Sequence, residues 1–121
     1  HATGLIEVES HGKSHSSLAR ISDDASDSAY LERLQSELAG SEAVFAKRLE
    51  ETPRFLSYPY GDSSRTIAEL LETEGYELAA TVTRGSNGSF VDPFMLHRTM
   101  SYSDHSMDDF ESFLRTRAKR R

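Results

Sequence analysis

The sequence has no cysteine, no tryptophan and only three prolines in 121 residues. Without cysteine there is no disulfide scaffold, no thiolate zinc site and no cysteine nucleophile. No apolar run approaches the roughly 20 residues that a membrane-spanning helix needs. An excess of positive charge is also missing. The formal net charge of -6 disfavours a general nucleic-acid binder, whose affinity rests on neutralising phosphates. The N-terminus, His1-Ala2-Thr3-Gly4, has neither the basic start nor the apolar stretch of a signal peptide. Mature exported proteins lack one too, so this does not place the chain in the cytoplasm. The length fits one small domain or part of a larger one, and the missing initiator methionine favours a piece of a longer protein.

What is present is short and alternating. Leu5-Ile6-Glu7-Val8-Glu9 alternates apolar and polar residues and reads as a strand. Asp27 or Ser28 is positioned to cap a helix running to about Glu50, with Leu31, Leu34, Leu38, Phe45 and Leu49 on one face. Glu32, Arg33, Glu37 and Lys47 are expected elsewhere on that helix. Phe55-Leu56-Ser57 reads as a second strand. Ser63 or Ser64 caps a second helix with Ile67, Leu70 and Leu71 inward, stopped at Gly75. Tyr76–Val82 and Phe94–Met100 read as a third and a fourth strand. A last helix starts near Ser106, with Met107, Phe110, Phe113 and Leu114 as its apolar face. Ser22–Ser28 and Arg84–Ser89 are loops rich in Ser, Asp, Asn and Gly. Strands alternating with helices predict an α/β fold with parallel strands and helical crossovers.

Two groups could carry chemistry. In Ser10-His11-Gly12-Lys13-Ser14-His15, two histidines four apart follow a strand end. A helical turn there would put both imidazoles on one side, within reach of one metal ion. Polar surface histidines so spaced are also commonly just solvated or capping. In Ser57-Tyr58-Pro59-Tyr60-Gly61, proline and glycine fix a tight turn at another strand end. That turn is either structural, with its tyrosines packed on neighbours, or a device presenting a backbone N–H such as that of Tyr60 to a developing oxyanion.

Together the two groups resemble the polysaccharide deacetylases, the carbohydrate esterase family 4 or NodB-like enzymes. His11-Gly12-Lys13-Ser14-His15 is similar to their metal-binding histidine motif, and Phe55–Gly61 to their third motif. Ile67–Leu71, Glu74–Val82, Asp92-Pro93-Phe94 and Leu96-His97-Arg98 resemble later segments, the last two closest to the branch acting on exported poly-N-acetylglucosamine. The resemblance runs from about Gly4 to Leu114. It implies a partial (β/α) barrel with parallel strands, covering 1–114 as the C-terminal portion of a deacetylase-like domain, followed by a basic tail at 115–121. That tail carries Arg115, Arg117, Lys119, Arg120 and Arg121, and reads as a solvated terminus or a polyanion contact.

The resemblance further implies a hydrolase of C–N amide bonds that removes N-acetyl groups from an N-acetylglucosamine polymer. His11 and His15 would be ligands of a divalent metal, in the family usually Zn2+. Tyr60 would supply the oxyanion-hole N–H, and Tyr58, Pro59 and Tyr60 would contact substrate. An extracellular, periplasmic or cell-envelope location follows from such substrates.

The departures are specific. The family's first motif is an Asp-Asp pair ahead of the histidines, holding the third metal ligand and the base. No aspartate precedes His11, and Asp23-Asp24 lies after the histidines in a loop. Ser57 stands where much of the family has arginine. The late histidine used as general acid in many relatives has no clear match; His97 is the candidate, and His105, beside Asp104 and Ser106, fits a helix start better. The chain alone is therefore expected to be weakly active or inactive. Alternatively it is a noncatalytic glycan- or partner-binding module, with Tyr58, Tyr60 and Phe90 along a sugar surface. A partial barrel also exposes strand edges, which a second copy of the chain could cover.

Overall fold

The computed structural model describes residues 5, 7–21, 24 and 26–118, with side chains to residue 115. Helix α1 spans Asp27–Leu49, strand β1 Phe55–Ser57, helix α2 Arg65–Thr73, strand β2 Leu78–Ala80 and helix α3 Met107–Ala118. Two 3-10 turns, Pro59–Gly61 and Pro93–Met95, punctuate the chain. The sheet is parallel: Phe55, Leu56 and Ser57 of β1 pair with Leu78, Ala79 and Ala80 of β2. Single parallel bridges extend it on both sides, Ser10 to Leu56 and Leu96 to Ala80. The order across the sheet is thus Ser10, β1, β2, Leu96. Parallel neighbours need a crossover, and α1 and α2 supply the first two. This is the α/β architecture read from the sequence.

Local chemistry sets the boundaries. The Ser26 hydroxyl accepts the Ala29 N–H at 3.2 Å and starts α1 one residue ahead of the expected cap. Ser64 caps α2 by accepting from Ile67 N–H, and Gly75 leaves it in the left-handed region, at φ 86°. Ser106 and Asp109 form a reciprocal box at the start of α3: Asp109 N–H donates to the Ser106 hydroxyl, and Ser106 N–H to the Asp109 carboxylate.

Three expectations change. The first strand reduces to the bridge at Ser10 (Ile6 lies outside the described residues), because the Glu9 carboxylate itself takes the Arg54 and Phe55 N–H groups. The third strand shrinks to Leu78–Ala80. The fourth becomes a 3-10 turn plus the Leu96 bridge. Asp92 caps that turn by accepting Phe94 N–H at 2.8 Å, and the Asn87 side-chain amide occupies both His97 N–H and His97 C=O. Helix α3 begins at Met107, beside the expected start, and runs through Ala118. Its Met107, Phe110 and Leu114 are exposed, so its apolar face is not buried as expected. Residues 119–121 of the basic tail and residues 22, 23 and 25 of the Ser22–Ser28 loop lie outside the described residues.

One core joins the helices to the sheet: Leu18, Tyr30, Leu34 and Leu38 from one side, Ile67, Ala68 and Leu71 from α2, with Leu56, Tyr58, Tyr76, Ala79 and Phe94 between. Leu34 and Leu38 are buried as expected, whereas Leu31 is exposed and Phe45 and Leu49 are half-buried. Tyr30 takes the inward position, its hydroxyl donating to Leu18 C=O at 2.9 Å.

Glu37 is the largest departure on α1. It was expected off the packed face but is buried, because its carboxylate holds the loop that follows Ser10. Oε2 accepts the N–H groups of Lys13 and Ser14, each at 2.9 Å, and Oε1 accepts the Ser14 hydroxyl at 2.6 Å. One turn earlier, Arg33 pairs with Asp24 through Nε and Nη2 and donates to the carbonyls of Ser17 and Arg20. The polar side of α1 thereby holds the chain at Lys13, Ser14, Ser17, Arg20 and Asp24.

Two predictions follow from this packing. Leu71→Ala, at a fully buried site, is expected to cost about 2–5 kcal/mol of unfolding free energy; Leu31→Ala on the same assay should stay within about 0.5 kcal/mol. Burial pushes the Glu37 carboxyl up, but the Ser14 and Lys13 hydrogen bonds outweigh it and hold it below the ordinary glutamate value. A carboxylate depressed in the folded state adds stability above its unfolded pKa, and that stability is lost as pH falls through the folded one. Glu37→Gln should therefore cost about 1–3 kcal/mol at pH 7, and the gap to the parent protein should narrow steadily below about pH 4.5. A pH-independent gap in urea titrations would contradict the clamp.

Candidate functional site

Ser10, β1, β2 and Leu96 all run the same way, so the segments that leave them emerge at one edge of the sheet. That edge collects His11–His15, Ser57–Gly61, Thr81–Arg84 and His97–Thr99. Ligand sites of open parallel sheets form at such carboxyl ends.

The loop from His11 to Ser17 is not helical, contrary to the turn imagined from its spacing. The two imidazoles meet nonetheless, their ring centroids 4.8 Å apart. The loop achieves this with two left-handed residues, Gly12 at φ 78° and His15 at φ 60°. A left-handed backbone is ordinary for glycine and uncommon for other residues. The Glu37 clamp on Lys13 and Ser14 sits between them.

His11 Nδ1 lies 2.6 Å from the Ser57 carbonyl oxygen. A carbonyl can only accept, so Nδ1 carries the proton and Nε2 is left with its lone pair free. This is how metal-ligating histidines are oriented by a neighbouring acceptor. His15 sits against Tyr60, edge to face, with centroids 4.7 Å apart. The three rings of His11, His15 and Tyr60 form one row on the surface. Among the described residues, no group of three or more His, Asp or Glu side chains stands ready to hold a metal ion. The site offers two imidazole donors, one of them oriented.

The turn after β1 separates its two tyrosines. Tyr58 is fully buried, its hydroxyl donating to Phe94 C=O at 2.9 Å. Burial, assisted by the Asp92 charge, raises its phenol pKa far above the ordinary value. The Tyr58 side chain thus has no surface to offer a substrate or a sugar-binding face. Pro59 is likewise buried. Tyr60 is 62% exposed and sits at φ 59°, ψ 0°, a left-handed conformation strained for a bulky residue. Gly61 follows at φ 76°, and a Cβ there would fall 2.7 Å from Val82 N. The strained pair turns the backbone sharply where β1 ends, beside the histidines.

The other expected residues lie apart. His97 is half-buried, with Nδ1 against Gly85, where an added Cβ would fall 2.3 Å away. Among the described residues, no hydrogen bond or ring contact joins it to His11, His15 or Tyr60. His105 meets Tyr102 and Phe113 in edge-to-face contacts, just ahead of the Ser106 cap. Phe90 is fully exposed on the loop before the Asp92 turn. Two participants went unnoticed in the sequence: Glu37, and Arg98, whose Nη1 donates to the Ser57 hydroxyl at 3.0 Å. Arg98 thus touches the residue whose carbonyl holds His11. A guanidinium arriving from a distant segment leaves no local signal in the sequence.

No curated protein matches the chain. Among solved structures, the Streptococcus pyogenes deacetylase PplD in complex with acetate superposes with a TM-score of 0.70 at 19% identity, covering 86% of this chain and 42% of that one. The BpsB deacetylase domain of Bordetella bronchiseptica gives 0.72 at 19%, covering 81% and 44%. A de-N-acetylase from Aggregatibacter actinomycetemcomitans gives 0.71 at 16%, covering 93% and 49%. These likenesses show the fold, and this chain spans less than half of each of those structures. The family model for polysaccharide deacetylases matches residues 1–79, a stretch holding both histidines, the Glu37 clamp, β1 and the Tyr58–Gly61 turn. The chain belongs to the polysaccharide deacetylase family.

Proposed function

We propose that this chain is the part of a metal-dependent polysaccharide deacetylase that carries two imidazole ligands and the oxyanion-binding turn. The parent reaction is hydrolysis of the N-acetyl amide on an N-acetylglucosamine polymer, giving a free amine and acetate. The observation that supports it best is the His11 Nδ1 contact with Ser57 C=O, which frees Nε2 beside the His15 ring. His11 and His15 would hold the divalent ion, with Zn2+ suited to imidazole donors. Such an ion supplies polarisation of the acetyl carbonyl and a bound water of lowered pKa.

The protein's own groups do the rest. Ser57 C=O fixes the His11 tautomer. The left-handed backbone at Tyr60 turns the strand end toward the histidines, so that its N–H serves the developing oxyanion. The exposed Tyr60 ring, packed on His15, offers an apolar face to a sugar. The third ligand and the general base have no counterpart ahead of His11, so the chain alone is weakly active or inactive. A polymer substrate of this kind places the parent enzyme in the cell envelope, the periplasm or outside the cell. No described helix is long and apolar enough to cross a membrane.

Metal titration tests the reading. Co2+ followed by absorption, or Zn2+ by calorimetry, should show one weak site per chain. His11→Ala and His15→Ala should each weaken it at least about tenfold, while His105→Ala leaves it unchanged. Equal affinity in all three variants would overturn the two-histidine site. Acetate release from N-acetylglucosamine oligomers should stay near background with the chain alone.

A further inference from the structure

Helix α1 makes a second polar contact with the histidine loop, one turn after Glu37. Ser41 is 5% exposed, and its hydroxyl lies 2.9 Å from that of Ser10, itself 1% exposed. Two hydroxyls so deeply buried need each other, because an unpaired one carries its full desolvation cost. Ser10 uses its remaining groups on either side of His11. Its hydroxyl accepts the Gly12 N–H at 3.3 Å. Its N–H donates to Phe55 C=O at 3.2 Å, and its C=O accepts the Ser57 N–H at 2.9 Å. His11 is thus bracketed. Ser10 behind it is tied into the sheet, and Gly12 ahead of it is tied back to Ser10 in a left-handed step at φ 78°. The imidazole leaving this bracket meets the carbonyl of Ser57, the residue that Ser10 itself pairs with. Gly40 completes the bed on α1. An added Cβ there would fall 2.3 Å from Lys13 Cδ, so the missing side chain leaves room for the Lys13 stem. Residues 37, 40 and 41 share one face of the helix, and between them they receive Ser10, Lys13 and Ser14.

We propose that Ser41 is a positioning residue for His11. Its hydroxyl fixes Ser10, and through Ser10 the turn at Gly12 that aims the imidazole at Ser57 C=O. An imidazole on a loop without a ladder of its own would otherwise sample several rotamers, with either ring nitrogen protonated. The buried hydroxyl pair removes that freedom before any ligand arrives. A ring kept in one orientation and one tautomer is ready for a metal ion without further ordering. The effect on the ring stands on these hydrogen bonds alone. Its consequence for metal affinity rests on the two-histidine reading.

Nitrogen-15 NMR of the histidine rings reads the tautomer directly, on the metal-free chain at about pH 8.5, some two units above the ordinary histidine value. His11 is expected as the Nδ1–H form, and in Ser41→Ala as a mixture with the Nε2–H form. The Gly12 N–H should exchange with solvent about threefold to tenfold faster in that variant. Ser41→Thr, which keeps the hydroxyl, should restore both. Ser10→Ala removes the shared partner, so adding Ser41→Ala to it should change nothing further. Leu71→Ala, which loosens the core without touching the loop, should leave the His11 tautomer as it is. Should Ser41→Ala fail to fold, Ser10→Ala reads the same link from the loop side and decides alone. An unchanged His11 tautomer in the deciding variant would overturn the proposal. So would an equal drift to the mixture in Leu71→Ala, the outcome of a merely structural contact. With metal present, Co2+ affinity should fall about threefold to tenfold in Ser41→Ala. A chain that binds no metal, yet whose His11 tautomer follows Ser41, would sink the two-histidine metal site and uphold this assignment. Metal binding and a tautomer both indifferent to Ser41→Ala would do the reverse.

Discussion

The carboxylate of Glu37 is the constraint on which the candidate site depends. A loop with two left-handed residues has no ladder of its own to keep it in place. Its backbone donors must go somewhere, and those of Lys13 and Ser14 go to one buried side chain on α1. The Ser14 hydroxyl completes the set. An anion accepting three donors in a partly desolvated position is stronger than three neutral bonds, and it converts a polar loop into a fixed ledge. Arg33, four residues earlier on the same helix, does the complementary task further along by holding Asp24 and two carbonyls. α1 thus serves as a two-point support, its apolar residues facing the core and its charged pair gripping the loop.

The same division runs through the sheet. Pairing is minimal, three residues in each of β1 and β2 plus a bridge on either side. Side chains take over backbone duties where the ladder stops: Glu9 for Arg54 and Phe55, Asn87 for His97, Asp92 for Phe94. The parallel arrangement still fixes which ends lie together, and that is what brings His11, Ser57, Tyr60 and Arg98 to one edge. The chemistry of the site rests on orientation, with one imidazole locked by a carbonyl and a second held against an aromatic ring.

Much of this was legible in the sequence, for identifiable reasons. The bounds of α1 and α2 followed, within a residue or two, from the serine- and aspartate-rich stretches ahead of them and from apolar spacing, which are local signals. β1 was legible because Phe55-Leu56-Ser57 is closed by a proline turn. The histidine pair and the Tyr58–Gly61 turn stood out through residue type and order. The misjudged positions depend on tertiary contacts. Glu37 looked solvent-facing because nothing near it in sequence reveals that Lys13 and Ser14 need an acceptor. Tyr58 looked available to substrate because exposure of an aromatic in a turn is not written locally. The strand expected over Phe94–Met100 failed because Asp92, Pro93 and Asn87 divert its hydrogen bonds. Met107 and Leu114 marked an apolar stripe on α3 that the described part of the molecule leaves uncovered.

The backbone at His15 has a consequence for how this position could vary. At φ 60°, β-branched and bulky side chains are strongly disfavoured, while glycine, asparagine, aspartate and histidine are the residues most at home there. Of these, aspartate and histidine are the usual ligands of a zinc-type ion. Two independent filters, one conformational and one chemical, therefore act on a single site, and aspartate and histidine pass both. A lineage that lost the chemistry would drift first to glycine or asparagine, relaxing the backbone while leaving the fold intact. Histidine at this position is a more strained choice than glycine.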